Sequence, residues 1–270
     1  MSLLRRALIA ITGNASMQRV LEKMAQVSHY LMGIGSGGEV SSSGEGAVLQ
    51  LLARRSGPPY CIFDVGSNKG QFLQMVRDRL PHHDLSIHCF EPGREAFGSL
   101  VDAAKGDRRV QLNNIGLGSV QEEAVLHYDR SGSRLASLTK RRLGHFGLAF
   151  DMSETVRIDT VDNYCSTHGI HRIHLLKIDV EGHELDTVAG AAAMFAEDRI
   201  DIVTFEFGGC NIDTRTYFQD FWYFFRDFEF DIYRITPSGY LRPVTTYDEA
   251  HEQFRTINFV AVSRRVTTRA

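Results

Sequence analysis

Leu175-Leu-Lys-Ile-Asp-Val-Glu-Gly-His-Glu-Leu-Asp-Thr-Val-Ala-Gly-Ala191 decides the fold of this chain. It opens on a short apolar strand, Leu175–Ile178, of the kind that is buried on both faces. Asp179, Glu181, His183 and Glu184 follow, Gly182 lets the chain turn, and Leu185, Val188, Ala189 and Ala192 then recur at helical spacing. A strand that ends in ionisable groups and turns into a helix is the ligand-facing unit of an open parallel sheet.

Working outward, Tyr60–Phe63, Ser86–Phe90, Val110–Asn113 and Ile202–Phe205 read as further buried strands, most of them separated by helical patterns such as Ala47–Arg54 and Gln71–Leu80. Such alternation implies right-handed crossovers and a mainly parallel sheet covered on both faces. Two features interrupt it: Glu123–Tyr128 has the pattern of an extra strand, and a basic, glycine-containing loop follows from Arg130 to Gly147. Towards the end, Phe218, Phe221, Trp222 and Phe225 recur at helical spacing, as core side chains of a covering helix do. Phe230–Ile235 and Asn258–Ser263 supply two closing antiparallel strands.

Composition sets the outer bounds. Hydrophobic residues make up 43% of the 270 positions, so a sizeable core is available and a disordered chain is excluded. A formal net charge of −3 gives no global attraction to nucleic acid or anionic lipid. Cys61, Cys89, Cys165 and Cys210 form no CxxC pair, and buried free thiols in a reducing cytoplasm are the expectation. The apolar run after Arg5-Arg6 is too short to cross a membrane and reads as the start of a helix.

Met17, Val20, Leu21, Met24 and Leu31 lie on one face of a second helix, which is expected to rest on the rest of the protein. Gly33-Ile-Gly-Ser-Gly-Gly38 satisfies G-x-G-x-x-G, but a helical segment precedes it where a dinucleotide site needs a strand. It reads as a flexible loop, with a mobile flap as its functional variant. The expected division is an N-terminal helical extension with this Gly/Ser-rich flap over 1–56 and one ligand-binding domain over 57–270.

The chemistry-bearing groups cluster at strand ends. In Asp64-Val-Gly66-Ser67-Asn68-Lys-Gly70 an acid closes the first strand, Gly66 permits a tight turn, and Gly70 allows the next helix to pack close. This spacing differs from that of a pyrophosphate loop, and its leading carboxylate suits a cation such as the ammonium or sulfonium of S-adenosylmethionine. Glu91 ends the second strand, where an acid accepts hydrogen bonds from ribose hydroxyls, and Pro92 stops the strand. Asn114 is either a turn residue or a hydrogen-bonding group near adenine. Asp179 faces the ligand crevice, and His183 at a helix start is either a neutral general base or a packing residue, with Asp179 and Glu181 as competing bases. Asp179 and Glu206 without a third ligand do not make a metal site, and none is expected. Arg130, Arg134, Lys140, Arg141 and Arg142 are either a solvated loop or a grip on a phosphate-bearing acceptor.

Taken together, Leu176-Lys-Ile-Asp-Val-Glu-Gly-His-Glu-Leu185, Phe63–Gly70, Phe90-Glu-Pro92, Asn114-Ile-Gly-Leu117 and Thr160-Val-Asp-Asn-Tyr164 resemble the FkbM family of S-adenosylmethionine-dependent methyltransferases. The likeness covers about residues 58–210; Lys69 and Gly116 depart from the family's usual residues. The resemblance implies a class I methyltransferase (Rossmann-like) α/β fold, with a seven-stranded, mostly parallel sheet whose last strand is antiparallel. It also implies methyl transfer to a hydroxyl of a macrolide, sugar or glycan acceptor. Asp64, Gly66, Ser67, Asn68 and Gly70 would then line the methionine part of the cofactor, Glu91 and Pro92 the ribose, Asn114 the adenine side and Asp179 the methyl end. Two rival readings remain at this stage: a nicotinamide-dependent oxidoreductase, which the missing G-x-G-x-x-G after the first strand disfavours, and a noncatalytic module of the same fold.

Overall fold

Short apolar runs become the strands of one large sheet. The computed structural model describes residues 3–38, 43–55 and 57–267. Its strands are β1 (Tyr60–Val65), β2 (Leu85–Phe90), β3 (Val110–Asn113), β4 (Gly116–Leu117), β5 (Glu122–Tyr128), β6 (Met152–Asp159), β7 (Ile173–Ile178), β8 (Ile200–Phe207), β9 (Phe230–Ile235), β10 (Leu241–Val244) and β11 (Ile257–Ser263). The main sheet runs β10-β9-β11-β8-β7-β1-β2-β3. From β3 to β8 every neighbour is parallel, and β11 pairs antiparallel with both β8 and β9. The expected seven strands with an antiparallel last one are therefore present, and β10 adds an eighth at the edge.

Successive residues of the central strands serve opposite faces, as a pleated sheet requires. Ile62, Leu175 and Ile202 pack with Val48, Leu49, Leu52, Phe72, Val76 and Leu100 from the helices on one face. Phe63, Leu176 and Val203 pack with Tyr164, Val188, Phe195, Phe218, Phe221 and Phe225 on the other. The aromatics of helix Phe218–Asp227 are core, as their spacing predicts: Phe205 stacks on Phe221 with ring centroids 4.8 Å apart. Helix Gly46–Arg55, N-terminal to the boundary expected at 56, buries its apolar side in this same core.

A second sheet, β4-β6-β5, stands beside the mouth of the first, with Leu126, Val156 and Ile158 forming its own small core. Strand β6 was not expected. Its solvent side is polar, so Met-Ser-Glu-Thr-Val-Arg-Ile-Asp shows no apolar run. The basic loop after β5 is tied down by paired backbone hydrogen bonds between His127 and Ser137, of 2.8 and 3.0 Å.

Helix Ala15–Met32 forms as its pattern predicts, capped by the Asn14 side chain, which accepts from Met17 N at 3.0 Å, and stopped by left-handed Gly33. Its expected packing is corrected: no residue of that helix is buried, and Val20, Met24 and Leu31 are 49%, 61% and 67% exposed. Both sheet faces are already covered by other helices, so among the described residues nothing is left to receive this side of it. Residues 39–42 of the expected flap lie outside the described residues. None of the described helices is long and apolar enough to cross a membrane.

Register brings two charges together inside the sheet. Asp64 of β1 lies beside Lys177 of β7, and the Lys177 ammonium sits 3.1 Å from the Asp64 carboxylate and 3.6 Å from that of Asp179. Burial works against the Lys177 charge, but Asp64 first and then Asp179 and Glu45 hold its pKa above the ordinary lysine range. Removing one member of a buried pair strands the other charge, which costs about 3–5 kcal/mol, whereas replacing both with apolar side chains is far milder. Lys177→Met should therefore lower the unfolding free energy by about that amount in urea titrations, and adding Asp64→Leu should restore most of it. Equal losses in the single and double variants would mean that the pair is not the cause.

Candidate functional site

A cavity of about 1110 Å³ opens at the carboxyl ends of β1, β2, β7 and β8, at the point between β1 and β7 where the order in which the chain visits the parallel strands reverses. Its floor is the turn after β1. Gly66 adopts a left-handed φ of 80°, and a Cβ there would overlap the Asp179 carbonyl oxygen, so only glycine lets the ends of β1 and β7 approach this closely. Ser67 Oγ donates back to the Asp64 carbonyl at 2.7 Å. Asn68 holds a φ of 46°, a left-handed geometry tolerated by asparagine, and its buried Oδ1 has no hydrogen-bond partner.

Glu91 fixes the rim beside this turn. One carboxylate oxygen accepts from Asn68 N at 2.9 Å and the other from Gly93 N at 2.8 Å. Burial pushes its pKa up to about 7 despite these two backbone donors. Each oxygen keeps a further lone pair for a ligand hydroxyl.

The opposite wall comes from the loop between β7 and helix Glu184–Ala189. Glu184 is fully buried, and its carboxylate accepts from Val180 N at 3.0 Å and Gly182 N at 3.1 Å, clamping the loop from beneath. Glu181 has a left-handed φ of 55° and pairs with Arg141, which also lies 3.6 Å from Asp213. Burial, and next the Asp179 charge, push Glu181 up to about 8. His183 Nδ1 lies 2.7 Å from the Asp186 carboxylate, and Nε2 lies 3.0 Å from the Thr139 hydroxyl. A carboxylate on Nδ1 favours the tautomer whose Nε2 carries a lone pair, with the Thr139 O–H donating to it.

Of the residues expected from sequence, Gly66, Ser67, Asn68, Glu91, Pro92, Asp179, Glu181 and His183 all line the cavity. Asp64, Gly70 and Asn114 do not. Asp64 is wholly buried against Lys177, and Gly70 packs under the turn near Leu100 and Ala103. The exposed Asn114 side chain instead braces the strand end, donating to the Glu91 and Pro92 carbonyls at 2.8 and 3.0 Å. Asp64 thus supports the site from behind.

Several residues in or beside the cavity wall escaped the sequence reading. Lys177 left one signal, a lysine inside an otherwise apolar strand. Thr139 and Glu45 left none, because only the folded chain brings them to the site, and Asp186, three residues after His183, is singled out only by the direction of the two side chains. The basic loop divides: Arg141 is tucked in beside Glu181, and Lys140 is exposed next to Asp151. The Gly33–Gly38 loop lies across the cavity edge, with Gly35 N and Gly37 N donating to the Thr256 carbonyl at 2.9 and 3.2 Å. Cys89, Cys165 and Cys210 are buried free thiols. Among the described residues no three His, Cys, Asp or Glu side chains converge as metal ligands.

Comparison with known proteins places this geometry. The 2-O-methyltransferase NoeI of Sinorhizobium fredii is 28% identical over 166 residues, which are 56% of this chain and 65% of that protein's length. The chain therefore spans just under two thirds of that curated relative. Among solved structures, a methyltransferase FkbM from Methylobacillus flagellatus KT aligns with a TM-score of 0.45 at 13% identity, over 74% of this chain and 43% of the other. A precorrin-6y C5,15-methyltransferase from Geobacter metallireducens aligns with a TM-score of 0.40 at 10% identity, over 80% and 87%. The family model of the methyltransferase FkbM domain matches residues 64–232, from the buried acid of β1 to the middle of β9 and across every wall-forming loop between them. With more than half its length inside that match, the chain belongs to the FkbM methyltransferase family.

Proposed function

We propose that this methyltransferase uses S-adenosylmethionine to methylate a hydroxyl of a sugar, glycan or polyketide-type acceptor in the cytoplasm. The observation that carries the reading is His183, whose Nδ1 is held by Asp186 while the side chain lines the cavity beside Asp179. An alcohol becomes a useful nucleophile only as its proton leaves, and a carboxylate-oriented imidazole is suited to take it. The 2-O-methyltransferase name of the curated relative supports oxygen as the methylated atom.

The residues present fit the cofactor. Gly66 lines the cavity at the turn, Glu91 retains acceptor capacity, and the buried Asn68 Oδ1 is an orphan acceptor on the same wall. Gly66, Ser67 and Asn68 would hold the amino-acid end together with Asp179, which the resemblance had set at the methyl end, and Glu91 and Pro92 the ribose. When bound, S-adenosylmethionine supplies an electrophilic methyl group on a sulfonium.

This chain's residues do the rest. Asp186 orients His183, and Nε2 takes the acceptor proton in exchange for the hydrogen bond it now receives from Thr139. Arg141 balances Glu181 so that a second carboxylate can sit near Asp179 without repelling it from the site. Leu117, Leu126, Leu138 and Ile158 form an apolar wall that keeps water from competing with the acceptor.

Two measurements test this. Calorimetric titration should show S-adenosylhomocysteine binding and no NAD binding; the reverse pattern would move the protein to another enzyme class. His183→Ala should lower turnover at least roughly tenfold while S-adenosylhomocysteine affinity stays within about twofold, since general-base assistance is worth roughly 10²–10⁴-fold. Unchanged turnover would remove His183 from proton transfer.

A further inference from the structure

Glu45 belongs to no expected site, lies outside the family-matched segment 64–232, and still faces the cavity. It sits on the turn that starts helix Gly46–Arg55, 9% exposed, with Ser43 Oγ donating to its Oε2 at 2.7 Å. It shares the wall with Gly66, Lys177 and Asp179 and lies within electrostatic reach of both charged residues.

The charges around Lys177 do not balance. One ammonium faces three carboxylates, those of Asp64, Asp179 and Glu45. Asp64 is nearest, fully buried and absent from the cavity wall, so it takes up the lysine's charge. Glu45 and Asp179, which do face the cavity, are left with surplus negative charge, and Glu206 on the same wall, its own pKa raised by burial and next by Asp179, brings a further acid and no cation. Burial raises Glu45 to about 7; the Ser43 hydrogen bond and Lys177 oppose that shift, and Asp179 and Asp64 add to it. A cation placed between two such carboxylates gains from both, and among the described residues no second ammonium lines the cavity.

We propose that Glu45, together with Asp179, receives the ammonium group at the amino-acid end of the methyl donor. The sequence assigned that task to Asp64, which the fold instead spends on Lys177. The inference rests on the methyl-donor reading above. It makes the N-terminal segment part of the cofactor site, closing it from the side opposite Glu91.

The test compares S-adenosylhomocysteine with 5′-methylthioadenosine, which keeps the adenosine and thioether but lacks the amino-acid end. Glu45→Gln should weaken S-adenosylhomocysteine binding at least roughly tenfold, as loss of a hydrogen bond to an ionised group does, and leave 5′-methylthioadenosine within about twofold. In the unaltered protein at pH 7, binding of S-adenosylhomocysteine should release more protons than binding of 5′-methylthioadenosine, read from calorimetry in two buffers of different ionisation enthalpy, because only the first ligand carries an ammonium that draws Glu45 into its ionised form. Its affinity should therefore fall more steeply than that of 5′-methylthioadenosine as the pH drops from about 8 to 6, since Glu91 meets the ribose of both ligands and Glu45 only the ammonium of one, and Glu45→Gln should remove the difference. Equal weakening of both ligands would assign Glu45 a purely structural role at the helix start and overturn the proposal. So would unchanged S-adenosylhomocysteine affinity in the variant, or equal proton release by the two ligands. If the unaltered protein binds neither compound, the methyl-donor reading itself fails, and this inference with it.

Discussion

A single buried ammonium organises the mouth of this sheet. Lys177 sits on β7 with its Nζ against Asp64 of β1 and within 3.2 Å of the Gly66 carbonyl, so one side chain ties the fourth parallel strand to the turn of the first. The same junction is closed by Asp179 N donating to the Val65 carbonyl at 3.0 Å. Buried ion pairs are poor sources of stability, because desolvation consumes most of the Coulomb gain. What this one supplies is position: the two loops that form the cavity walls cannot shift independently while the pair holds.

The same logic recurs one layer further out. Glu91 and Glu184 are both buried, and each turns its carboxylate oxygens onto backbone amides of a wall-forming loop. In each case a loop that would carry unpaired N–H groups is ordered by an acid beneath it, which answers the requirement that buried backbone donors be satisfied. Left-handed Asn68 and Glu181 lie directly beside these anchors. Strained backbone of this kind persists where the surroundings over-determine it, and functional sites are where it gathers.

How much of this was legible in the sequence follows from what each signal measures. The strands of the parallel sheet stood out because burial on both faces writes an unbroken apolar run, and Asp179, Glu181 and His183 stood out because they follow directly on one. Strand β6 was invisible because half its residues face water, and β10 because Leu241-Arg-Pro-Val carries a proline, which fits only an edge position. The helix over 15–32 shows the limit of periodicity, which reports that one face is apolar and says nothing of what covers it. Glu45 and Asp186 were hidden for another reason. Their roles are set by neighbours distant in the chain or by the direction of a side chain, and residue spacing encodes neither.

The turn after β1 also differs from the phosphate-binding turn of dinucleotide-binding proteins. A pyrophosphate is held by free amides at the start of the helix that follows the first strand. Here the amides of the turn that leads into that helix are already committed: Gly66 N and Ser67 N both donate to the Phe90 carbonyl at 3.0 Å, Asn68 N to Glu91 at 2.9 Å, and Gly70 N to the Ser67 carbonyl at 2.9 Å. The groups that face the ligand from this side are instead acceptors, Glu91, Asp179 and the orphan Asn68 Oδ1. An anion brought to this turn would have to displace a backbone hydrogen bond and approach carboxylates. A ligand rich in donors, with hydroxyls at one end and positive charge at the other, would meet the wall as it already stands.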